Sequence, residues 1–268
     1  YYENIFKKNL NVDTYSLYCW RGKFGYISFG FLGLAKLIKL VYKIKPDVIM
    51  GWMYHGNLVA TISSFLLPKR KVIWNIRQSL YKNNREKFFT RLVINLCRYL
   101  QFRVNKIIYN SSLSKIHHEN IGYKSSLGTI IYNGFDSCFL DTKIRKKIKK
   151  ELQIEDSKIV IGHVARYHHM KDHANFLQAI LRVLKIRNDL CIVLIGRDVN
   201  LNNKEISKEI PIDYRKYFKF LNEKNDAQFF MHSFDFLCLS SLSESFPNVI
   251  AEAMSIGIPV VSTDVGDA

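Results

Sequence analysis

The stretch Ser243-Glu244-Ser245-Phe246-Pro247-Asn248-Val249-Ile250-Ala251-Glu252-Ala253-Met254 decides how this chain is read. An apolar run at 234–239 and a turn at 240–243 lead into it, and Gly257-Ile258-Pro259-Val260-Val261 follows. The run has strand character. Pro247 suits a first helical turn, Ser245 suits a cap, and Gly257 suits a left-handed stop. The spacing predicts strand, loop, helix and strand, with Glu244 in the loop at the carboxyl end of a strand. Glu252 then falls about a turn and a half inside the helix. In open α/β sheets ligands bind at that edge, where a helix N-terminus offers N–H groups to a phosphate. Taken alone, the pattern fits equally an ordinary surface loop whose acid complements the helix dipole.

A second segment weighs against the ordinary loop: Ile161-Gly162-His163-Val164-Ala165-Arg166-Tyr167-His168-His169-Met170-Lys171-Asp172-His173. A strand ends near Val164, and Arg166 and Lys171 follow before a helix over 174–184. Two cations five apart beyond a strand end suit a diphosphate. The histidines raise a metal reading through His169 and His173, but that spacing needs a helical loop, and no carboxylate or Cys stands as a further ligand. The expectation is no metal.

The same alternation extends outward. Strand-like runs at 48–50, 72–74, 106–109, 129–132, 159–164, 192–195, 234–239 and 259–262 are separated by helical patterns at 31–45, 87–101, 112–120, 174–187 and 247–255. This predicts parallel sheets with helical crossovers, and strands covered on both faces. Residues 141–155 carry seven charged side chains in their first ten and no strand signal, which reads as an exposed connecting helix. No GxGxxG or GxxxxGK[ST] loop occurs. Residues 48–68 lack Asp, Glu, Lys and Arg, but Gly51, His55, Gly56, Asn57, Ser63 and Ser64 interrupt them. A buried strand at 48–52, a turn and a helix over 57–67 explain them better than a membrane span.

The chain has 268 residues, 48% hydrophobic and 24% charged, which excludes a disordered or fibrous protein. Its net charge of +17 is uneven: residues 1–140 hold +15 and residues 141–268 only +2. Cys19, Cys97, Cys138, Cys191 and Cys238 are scattered without a CxxC pair, which argues for reduced thiols.

These segments together resemble a family. Arg166 and Lys171 after Ile161-Gly162-His163-Val164, then Glu244 and Glu252 around Phe246-Pro247-Asn248, then Gly257-Ile258-Pro259-Val260-Val261, resemble the donor half of a retaining glycosyltransferase of family 4. Tyr132-Asn133-Gly134-Phe135-Asp136 is similar to the stretch closing that family's N-terminal domain, and 46–49 and 72–77 resemble two of its N-terminal strands.

The resemblance implies a GT-B fold, α/β, with two Rossmann-like parallel-sheet domains facing a central cleft. It implies an acceptor-side domain at 1–140, a charged connection at 141–157 and a donor domain at 158–268, both domains incomplete, so that the chain reads as a fragment. By the same resemblance Arg166 and Lys171 hold the donor diphosphate and Glu252 accepts from the ribose hydroxyls. Glu244 sits at the donor sugar, aided by backbone near Phe246, Pro247, Asn248 and Val249. The co-substrate is a UDP- or GDP-sugar, and neither a cofactor nor a metal is needed. The acceptor is a glycan or lipid-linked molecule in cell-surface polysaccharide or lipopolysaccharide synthesis.

One departure from the pattern bears on the acceptor side. Arg77 stands where many relatives carry a His, as an acceptor-side residue or a ligand of the donor phosphate. His55, past a strand end, is a second acceptor-side candidate. The competing readings are a sugar-nucleotide epimerase on the same fold and, from another class, a basic nucleic-acid-binding protein. The dispersed basic residues and the lack of a recognisable binding motif argue against nucleic acid. A basic amphipathic pattern at 24–45, with Lys36, Lys39 and Lys43, fits either an anionic membrane surface or a core-facing helix with a solvated face. The expected location is cytoplasmic, peripheral on the membrane's cytoplasmic face.

Overall fold

The computed structural model describes residues 25–67, 69–80, 87–136 and 139–268, and all of their side chains except those of 25–32 and 34. Cys19, Cys138 and the start of the 24–45 pattern lie outside the described residues. The chain divides into two compact units, residues 1–75 with 86–108, and residues 76–85 with 109–268.

The first unit carries α1 (Gly25–Ile44), β1 (Val48–Trp52), α2 (Met53–Ser64), β2 (Lys71–Ile76), α3 (Phe88–Leu100) and most of β3 (Lys106–Tyr109). β1 and β2 pair in parallel, with Gly51 opposite Trp74, and β4 (Gly128–Ile130) belongs to the second unit. Val72, Trp74 and Ile76 alternate into the core, and the Trp74 indole donates to Thr61 Oγ1 at 2.8 Å. Two expectations are corrected. No separate turn precedes α2, because the reversal is compressed into Met53, whose φ is +59°. β1 is not buried on both faces: Val48, Met50 and Trp52, which alternate onto one face of the strand, are exposed.

The second unit continues with α4 (Ser112–Asn120), α5 (Thr142–Glu151), β5 (Ile159–Val164), α6 (His173–Leu184), β6 (Leu190–Ile195) and α7 (Lys204–Glu209). It closes with β7 (Phe218–Phe220), α8 (Ala227–Met231), β8 (Phe236–Leu239), α9 (Asn248–Ile256) and β9 (Val260–Ser262). Its five strands run parallel in the order β7-β6-β5-β8-β9. All six side chains of β6 are buried, as expected for a strand covered on both faces. Val193 and Ile195 face a core with Phe230, Phe234 and Ala253, while Ile192 and Leu194 face one with Phe176, Leu177 and Ile180.

α5 is more than an exposed link. Ile148 is fully buried in the first of those cores, and the buried Lys149 Nζ donates to the carbonyls of Asp156 (3.1 Å) and Lys158 (3.2 Å). The strand order reverses between β5 and β8, since β6 and β7 lie on one side of β5 and β8 and β9 on the other. That reversal makes the carboxyl ends of β5 and β8 the place where a doubly wound sheet leaves a crevice. No helix among the described residues is long and apolar enough to cross a membrane.

Candidate active site

The loops leaving β5 and β8 are fastened to each other. The Leu242 N–H donates to the Met170 carbonyl at 2.8 Å, and Ser240 Oγ donates to the carbonyls of Lys171 (2.8 Å) and Asp172 (3.0 Å). Asp172 sits in the left-handed region at φ 45° and begins α6, its carboxylate accepting from Asn175 N. This turn aims Lys171 at Glu244. Lys171 Nζ pairs with Glu244 Oε1, and Ser241 Oγ donates to the same oxygen at 2.6 Å. Both side chains of the pair are mostly withdrawn from water, 24% and 13% exposed, so their attraction is screened less than that of a surface pair. Arg166, in the loop that follows β5, is exposed, with no ion pair or hydrogen bond of its guanidinium among the described residues.

The loop before α9 is held by chain from far away. Ser79 Oγ donates to the Glu244 carbonyl at 2.5 Å. Ser245 is not the helix cap that its position suggested: it is buried, and its hydroxyl donates to Asn110 Oδ1 at 2.8 Å while Ser111 Oγ lies at the same distance. The Asp267 carboxylate accepts from Ser112 N (2.6 Å) and Leu113 N (3.1 Å), capping α4, and its own N–H donates to the Ser245 carbonyl at 3.1 Å. Gly266 permits this approach. Its φ is +66°, and a Cβ there would meet the Ser245 carbonyl oxygen at 2.6 Å.

Pro247 occupies the cap position of α9 and offers no side-chain hydrogen bond. The backbone N–H groups of Asn248 and Val249 therefore stay open among the described residues, a site for negative charge. Asn133 bridges Arg77 to this helix start, accepting from the guanidinium and donating to Asn248 Oδ1. Phe246 lies against Phe135, stacked at 6.0 Å, and Tyr132 at 5.9 Å. Glu252 is half-buried, and desolvation raises its carboxyl above the ordinary range; no partner among the described residues neutralises it. Thus one unit holds Arg77, Arg166, Lys171, Glu244 and Glu252, with Lys171 paired to Glu244 and Arg77 linked through Asn133 to the start of α9. His55 belongs to the first unit, where it is exposed in the first turn of α2.

Residues 158–268 match the glycosyl transferases group 1 family. An uncharacterized glycosyltransferase of Methanocaldococcus jannaschii is 24% identical over 245 residues, 85% of this chain and 58% of its own length. The N-acetylgalactosamine-N,N'-diacetylbacillosaminyl-diphospho-undecaprenol 4-alpha-N-acetylgalactosaminyltransferase of Campylobacter jejuni is 24% identical over 89% of this chain and 63% of its own. The chain thus spans about three fifths of the length of these curated relatives. Anabaena HepE, solved in complex with UDP-glucose, superposes with a TM-score of 0.81 at 21% identity, over 99% of this chain and 71% of that one. The fold is GT-B.

The second unit also buries two histidines whose closeness to each other the sequence did not show. His163 and His173 are buried with their rings 4.8 Å apart, flanked by Phe176 and Tyr167. His163 Nε2 lies 3.4 Å from Ser240 Oγ. Because the serine proton already points at the Lys171 and Asp172 carbonyls, the imidazole is the donor. Burial, helped by His173 and Lys171, pushes His163 well below its ordinary pKa, and burial pushes His173 to about 4. His169 stays exposed in the short turn, so it does not share a helix face with His173. Ser79, Asn110, Ser111 and Asp267 left no trace in local pattern, since each acts on a partner over a hundred positions away.

Proposed function

We propose that this protein is a retaining glycosyltransferase, moving a sugar from a UDP- or GDP-sugar to a glycan or lipid-linked acceptor in cell-surface polysaccharide or lipopolysaccharide synthesis. A cytoplasmic, membrane-peripheral location goes with that role. The observation that carries the reading is the meeting of cations, an open helix N-terminus and an unpartnered carboxylate at the β5/β8 reversal.

Glycosyl transfer breaks the bond between the anomeric carbon and a diphosphate oxygen. Negative charge grows on the leaving diphosphate while the sugar becomes oxocarbenium-like. Lys171, which gives one ammonium proton to Glu244, has two others for phosphate oxygens, and Arg166 is free to add a fork of donors. With the N–H groups of Asn248 and Val249, these fixed positive charges take the electrostatic part that a divalent metal plays elsewhere, so catalysis needs no metal. Glu252, withdrawn from water and without a partner, is suited to accept from two ribose hydroxyls. Glu244, with Oε1 held by Lys171 and Ser241, keeps Oε2 for the donor sugar beside Phe246 and Pro247. Arg77, tethered through Asn133 to Asn248, adds a third cation near the phosphates, and His55 is assigned to the acceptor side.

A panel of nucleotide sugars, tested for thermal stabilisation of the full-length protein and for transfer, checks this. One class of nucleoside-diphosphate sugar is expected to stabilise the protein, and Glu252→Ala to abolish that shift. Lys171→Ala is expected to slow transfer about 10²–10³-fold. Unaltered donor binding and transfer in both variants would overturn the reading. An isomeric nucleotide sugar formed without acceptor would replace it with epimerisation.

A further inference from the structure

One cavity of the second unit lies apart from the candidate active site. It measures about 470 Å³ and is framed by the loop before β5, the loop before β6 and the turn into β7. Small-molecule sites run from roughly 300 to 1,000 Å³. The three strands are parallel, so their amino ends share one edge of the sheet, opposite the edge from which the Lys171 and Glu244 loops leave. β5 spans six residues, which at about 3.3 Å each sets the two edges about 20 Å apart.

Hydrogen bonds hold the rim in place. The Ile159 N–H donates to the Asp189 carbonyl at 2.9 Å and Lys158 Nζ donates to the Asn188 carbonyl at 2.8 Å, which fastens the first two loops to each other. The buried Lys149 ammonium fixes the first loop from inside, through the carbonyls of Asp156 and Lys158.

The lining selects the charge of a ligand. Lys158, Lys216 and Lys219 border the cavity, and none of them forms an ion pair among the described residues. Two acids also border it. Asp189 is already matched by the Arg187 guanidinium at 2.5 and 2.9 Å, which leaves Glu155 against three ammonium groups. Burial raises the Cys191 thiol above its ordinary range while Lys219, Lys158 and Lys149 pull it back, so their positive potential converges on a residue of the lining. This excess is local, since residues 141–268 carry a net charge of only +2. Asn188 and Ser157 add an amide and a hydroxyl, and the volume exceeds what a bare phosphate ion fills.

We propose that this cavity is a second ligand site, for a small phosphorylated, hydroxyl-rich metabolite such as a sugar phosphate. Lys216, Lys219 and the two remaining protons of Lys158 take the phosphate oxygens, and Asn188 and Ser157 take hydroxyls. The site stands whether or not the transfer reading holds, because it needs no nucleotide sugar and can be filled together with the opposite edge.

The test is calorimetric titration of the full-length protein with glucose 6-phosphate, ribose 5-phosphate and glycerol 3-phosphate, against glucose and inorganic phosphate. At least one of the three is expected to bind about tenfold more tightly than inorganic phosphate, and glucose not at all. K216A/K219A is expected to weaken that binding by about tenfold or more. Its melting temperature should not change, because neither ammonium group has an ion pair or hydrogen bond among the described residues. K216A alone, at an exposed position, is expected to weaken it by about fivefold. Lys171→Ala, on the opposite edge, is expected to bind these phosphates as the wild type does. No binding of any of the three, binding no tighter than that of inorganic phosphate, or full affinity in both K216A and K216A/K219A would overturn the proposal. So would loss of binding in Lys171→Ala, which would move the ligand to the other edge.

Discussion

Ser240 shows how much one hydroxyl can hold. It is buried, gives its single proton to the carbonyls of Lys171 and Asp172, and receives one from His163. Replacing it with Ala strands two carbonyls and an imidazole N–H away from water, a loss of about 1–3 kcal/mol. Urea unfolding of Ser240→Ala should show that loss as a lower midpoint with an unchanged slope; a midpoint within error of wild type would mean that the turn holds itself. The cysteines present the opposite case. Burial pushes the Cys97 thiol up to about 12 and the Cys238 thiol to about 11, so neither is a nucleophile at neutral pH.

Among the elements, α4 draws part of its stability from distant chain. Its first N–H groups are satisfied by Ser111, which accepts from Ser114 N, and by Asp267, which accepts from Ser112 and Leu113. Asp267→Ala removes a charged cap from a helix N-terminus and should lower stability by about 1–2 kcal/mol, while Asp267→Asn should keep most of it. Thermal unfolding of the two variants checks this, and equal losses in both would show that charge rather than hydrogen bonding matters there.

The same helix marks how far sequence reading reaches. β5 was legible to the residue because Ile159, Val160, Ile161 and Val164 follow the polar Ser157-Lys158, and α9 within one residue because Gly257 takes the left-handed stop. Glu244 and Lys171 were legible as loop residues, but not as an ion pair, since nothing local encodes a partner 73 positions away. The short elements α7, β7 and α8 were missed: three to six residues carry too little periodicity to stand out. The early start of α2 was hidden because a single left-handed Met53 replaced the glycine-marked turn.

On the scale of the whole molecule, buried imidazoles make stability depend on acid. His118 and His173 are each pushed to about 4 by burial, below an ordinary value of 6.5. The unfolded chain therefore binds more protons than the folded one between those values, and stability falls as pH drops from about 6.5 to about 4. Each buried imidazole contributes on the order of 2–3 kcal/mol across that window. Urea midpoints measured from pH 7.5 down to pH 4.5 should decline in wild type and decline less in His173→Phe; parallel curves would discount His173 as a source of the acid sensitivity.

The Ser79 bond to the Glu244 carbonyl spans 165 positions, and it belongs to a unit assembled from two separated stretches of chain. Translation at about 5–20 residues per second puts roughly 8–33 s between the emergence of its two ends. For that interval Ser79 has left the ribosome without the loop it braces. A delay of that length on every round of synthesis gives chaperones a defined client: a nascent chain whose first sheet is available to pair before the second unit can close.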